Sequence, residues 1–136
     1  MNPRTKQNLN IAMQSEAFAL AKYLRFAAHA RMNENWDLAN LFQTAADTGR
    51  IEHFAKEADL AGLVTNEYDN LKDAMDEKRA QASMYDRFAR QAIADGDTAA
   101  AELFEKIREE NVTQALAFET TLLIQAGERS ACLVEA

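Results

Sequence analysis

The sequence predicts an all-α protein: a four-helix bundle assembled from two similar helical hairpins. Three observations carry that reading. Apolar residues recur at helical spacing along most of the 136-residue chain. The chain has one proline and four glycines, and Gly62, Gly96 and Gly127 fall where a helix should stop. The second half repeats the first at a fixed offset of 62 residues.

The first helix is predicted from about Lys6 to Met32, with Leu9, Ala12, Met13, Leu20, Tyr23 and Ala27 on its apolar face. "NEN" at 33–35 breaks it and offers N-caps for a second helix, roughly Trp36 to Ala61, closed by Gly62. The third helix is expected from about Glu67 to Ala94, ending before Gly96. Asp97 caps the fourth, which should run to about Ala126, ahead of Gly127. The bundle domain is thus assigned to residues 1–127, and "ERSACLVEA" at 128–136, which has no clear period, to a loosely held tail.

Composition narrows the function. At 48% hydrophobic and 27% charged the chain suits a helical globular protein. No run approaches the ~20 apolar residues of a membrane span, and no signal peptide opens the chain. The net charge of −7 disfavours nucleic acid, which needs a basic face. A single cysteine, Cys132, argues against a disulfide framework and fits a reducing cytoplasm. In a cytoplasmic helix "NVT" at 111–113 is a chance glycosylation match.

The repeat is specific. "NLNIAM" at 8–13 returns as "NLKDAM" at 70–75, "YLRFA" at 23–27 as "YDRFA" at 85–89, and "ANLF" at 39–42 as "AELF" at 101–104. Twelve of the 35 positions from 8 to 42 are identical, more than shared helical composition explains. A duplicated hairpin with a pseudo-twofold axis follows. Against this background Gly49, in "DTGRIEH" at 47–53, is out of place, because glycine costs about 1 kcal/mol against alanine inside a helix.

These words resemble rubrerythrin, a di-iron protein of the ferritin-like class. "NLNIAMQSEAFALAKYLRFAAHA" is similar to its first helix, where a glutamate lies ten residues before a Phe-Ala pair; Glu16 and Phe26-Ala27 fit. "NLKDAM" followed by "MYDRFA" resembles the third helix, and "LF" followed by "EH" the second. The resemblance covers about residues 7–125, without a rubredoxin-type pair of CxxC knuckles. It implies a ferritin-like bundle and iron chemistry on peroxide or oxygen. In that plan each hairpin supplies a Glu from its first helix and a Glu-x-x-His from its second, and helix 3 adds a further Glu.

Measured against that plan the ligand set is degenerate. Glu16 matches the first-helix ligand; its repeat mate is Lys78, although Glu77 could take the place if helix 3 keeps a bulge. The extra helix 3 carboxylate falls on Ala80 or Gln81. In helix 2 the Glu-x-x-His becomes Gly49 and Glu52 in one register, Arg50 and His53 in the other. In helix 4 it becomes Asn111 and Gln114, on a stripe with Ala100, Leu103/Phe104, Ile107 and Phe118 expected to face the core. A polar bundle centre of Glu16, Arg50, Glu52, His53, Lys78, Gln81, Asn111 and Gln114 is expected, with a basic residue replacing the metal's charge and no cofactor. Glu16 reads as a buried carboxylate, His53 as a half-buried residue on an outer face beside Glu52, and His29 as a helix-dipole residue.

Two function classes remain open: a structural or binding module that is not an enzyme, and a metal-dependent oxidoreductase with a reduced set such as Glu16, His53 and Glu77. For assembly, the resemblance implies a crossover along the bundle between helices 2 and 3. Helices of ~26 residues are about 39 Å long. Gly62 to Asn66 offers five residues, and even eight extended residues reach only about 26–29 Å. A homodimer that exchanges hairpins is therefore expected; a plain up-down-up-down monomer is the alternative.

Overall fold

The structure, a computed structural model, describes residues 1–135 and is helical throughout, with no strand among them. Its contacts divide the chain into two compact units, Met1–Val64 and Thr65–Ala136. Each is a helical hairpin.

In the first unit, α1 spans Pro3–Met32. Asn2 caps it, its Oδ1 accepting the Arg4 N–H at 2.9 Å, and Pro3 sits where no N–H partner is needed. His29 and Arg31 occupy the last turn, where cations suit the helix dipole, and the Asn33 side chain donates back to the His29 carbonyl at 3.0 Å. The turn passes through Glu34 at φ 57°, left-handed for a residue with a Cβ. Asn35 then caps α2, Trp36–Thr48, by accepting the Leu38 N–H. A π-helical segment, Gly49–Phe54, joins α2 directly to α3, Ala55–Ala61, and left-handed Gly62 ends the run.

The second unit repeats the plan. Asn66 caps α4, Glu67–Asp95, through the Asp69 N–H at 2.8 Å, and its amide holds the Asp69 carboxylate at 2.7 Å. Gly96 makes the left-handed turn at φ 80°, the place that Glu34 takes in the first unit. Helix α5 runs over Thr98–Glu135. The expected stop at Gly127 is therefore corrected. Gly62 and Gly96 have positive φ, whereas Gly127 does not, and a right-handed glycine inside a long helix costs about 1 kcal/mol without ending it. The stretch assigned to a tail is helical as far as Glu135; Ala136 lies outside the described residues.

The repeat is a repeat of packing. Met13, Ala27, Ala30 and Ala39 are buried in the first unit, and Met75, Ala89, Ala92 and Ala101 in the second. Small residues let the two helices approach closely. Above them Tyr23, Phe26 and Phe42 form an aromatic trio with centroids 5.2–6.4 Å apart, matched by Tyr85, Phe88 and Phe104 at 5.9–6.5 Å. Most of the identities between the halves are thus seam residues, which a shared surface composition would not select.

Neither seam buries a large side chain completely. Phe18, Leu41 and Leu60 of the first unit and Leu116, Leu123 and Ile124 of the second are more than half exposed. No helix is long and apolar enough to cross a membrane.

Candidate polar centre

Gly49 explains itself through Glu16. Its backbone is ordinary right-handed helix, φ −59° and ψ −40°, so no turn requires a glycine. It is buried, and a Cβ built on it would stand 3.3 Å from Glu16 Oε2. The glycine is the floor on which the Glu16 carboxylate lies. The other carboxylate oxygen, Oε1, faces His53 Nδ1 at 3.3 Å across the hairpin. Glu16 is 31% exposed and His53 53%, so the pair lies at the rim of the seam. The expected burial of Glu16 is corrected accordingly: it is half-buried, with His53 as its polar partner. His53, expected half-buried, is exposed, and it faces Glu16 on the other helix as the reduced set of Glu16, His53 and Glu77 places it.

The π-helical segment makes this possible. A π turn holds one residue more than an α turn, so the chain gains a residue without leaving the helix. From the segment's last residue onward, Phe54, Glu57 and Ala58 take the inward places that Ala115, Phe118 and Glu119 take in the second unit, each one residue short of the 62-residue offset. The two registers that the sequence offers for helix 2 arise from this extra residue. Gly49 obeys the register before it, and His53 lies inside the segment itself.

In the second unit Lys78 stands where Glu16 stands in the first, and Asn111 where Gly49 stands. Lys78 Nζ donates to Asn111 Oδ1 at 3.4 Å, a long bond. Asn111 is 4% exposed, and its amide nitrogen Nδ2 is buried without a partner. A buried unpaired donor of this kind costs about 1–3 kcal/mol. Two turns further along α5, Arg79 braces Glu119 at 2.9 Å.

The other candidate residues stand apart. Arg50 and Gln114 are exposed, and Gln81 is half-buried. Gln114 leaves the seam because the inward place after Asn111 goes to Ala115, four residues on. Leu103, expected on the same stripe, is likewise exposed. Glu52 turns along its own helix to Lys56 at 2.5 Å, and that hydrogen bond and charge hold its carboxyl below the usual range. Glu77 is exposed on α4. Sequence reasoning passed over Glu57, whose Oε2 is buried without a partner in the first unit. Cys132 is exposed on the last turns of α5.

The residues present do not fit a pair of iron ions. At the places where the resemblance leads one to expect ligand carboxylates stand a glycine, Gly49, an amide, Asn111, and an ammonium, Lys78. Among the described residues no group of three His, Cys, Asp or Glu side chains is placed to hold a metal ion. The geometry offers something else: a carboxylate with spare acceptor capacity on one hairpin, and an ammonium beside an orphaned amide donor on the other. A comparison with known protein families, with curated proteins and with solved structures finds no match for this chain.

Proposed function

We propose that this chain is a rubrerythrin-like, ferritin-like bundle protein whose di-iron site has been replaced by a polar, salt-bridged centre, and that it works as a structural or binding module. The observation that carries the reading is Lys78 against Asn111, at the positions repeating Glu16 and Gly49. An ammonium repels a ferrous ion, and an amide neither bridges two metals nor neutralises them. Gly49 supports the same reading, since it offers Glu16 room and no ligand. The single cysteine supports a reducing compartment, the cytoplasm.

A metal-dependent oxidoreductase is the second reading, and the Glu16–His53 contact at 3.3 Å favours it, because these are two ligand types in reach of one point. Two groups leave a metal ion mostly to water, so this reading is the weaker. The test is peroxide consumption by protein reconstituted with ferrous iron under nitrogen. The expected result is no rate above that of the Glu16→Ala protein. A rate that Glu16→Ala abolishes would overturn the reading.

A further inference from the structure

We draw no further inference here: the strongest candidate, the groove in the second hairpin between the start of α4 and the last turns of α5, lined by Tyr68, Arg129 and Cys132, sets Glu67 and Glu128 beside its one guanidinium, and nothing in the structure shows what ligand it takes.

Discussion

Gly49→Ala should make the protein more stable. The glycine sits at φ −59° and ψ −40°, so alanine brings no backbone strain. Removing a glycine from a helix interior gains about 1 kcal/mol. Against this stands one contact, the new Cβ at 3.3 Å from Glu16 Oε2. That contact is tight by a few tenths of an ångström. The atom it meets is the end of a flexible side chain, 31% exposed, which can swing toward solvent. Relaxation should cost less than the propensity gain, leaving about 0.5–1 kcal/mol of stabilisation. For a chain of this size that raises Tm by about 2–5 °C. A larger side chain cannot be relieved in this way. Gly49→Asn, which imports the residue of the second repeat, should push Glu16 off its floor and cost about 1–3 kcal/mol. In a Glu16→Ala background most of that cost should vanish. Urea unfolding of the four chains of this double-mutant cycle is the assay. If Gly49→Ala destabilises by about 1 kcal/mol or more, or Gly49→Asn costs the same with and without Glu16, the close approach of Glu16 is not why position 49 is glycine.

Glu34→Gly should stabilise by about 1 kcal/mol in thermal melts, since Glu34 holds φ 57° where the second repeat uses Gly96; a loss would mean that the Glu34 side chain contributes more than its strain costs. Gly127→Ala should add up to about 1 kcal/mol and slow amide exchange over the last turns of α5, because its Cβ would meet nothing within 4 Å; unchanged exchange would contradict the continuous helix. Asn66→Ala removes the acceptor for the Asp69 N–H and the donor to its carboxylate, and should cost about 1–2 kcal/mol in urea unfolding. The Glu105 carboxyl is held below its usual range first by its hydrogen bond to Arg108, so its contribution is present above the ordinary carboxylate range and lost as pH falls through the lowered value. Glu105→Gln should therefore lower Tm slightly at about pH 6 and not at about pH 2, with the difference fading in high salt; a difference that persists in acid would contradict the sign.

Much of the architecture was legible because it rests on local rules. The N-cap within "NEN", the left-handed glycines at 62 and 96 and the 62-residue repeat all leave marks in single residues or short words. Gly127 misled because a glycine at the end of a periodic stretch looks the same whether its φ is positive or negative. The π-helical segment was visible only as a disagreement between two registers, since an extra helical residue changes spacing without changing composition. At the candidate centre, Lys78 and Asn111 were singled out in the sequence as polar residues expected inward, and their mutual contact follows from their positions on facing helices. The Glu16–His53 pairing was legible only as one of two registers for helix 2, because it depends on the π turn carrying His53 across to α1. Arg50, Glu52 and Gln114 have suitable side chains, yet no count of residues reveals that Glu52 turns to Lys56 or that Ala115 takes the inward place beside Asn111.

The most direct test of the central claim is elemental analysis of protein purified from iron-supplemented cells, after gel filtration to remove loosely held metal. The proposed reading, in which Lys78 and Asn111 replace metal ligands, predicts iron far below one atom per chain, unchanged by Glu16→Ala. About two irons per chain, lost together in Glu16→Ala, would contradict it.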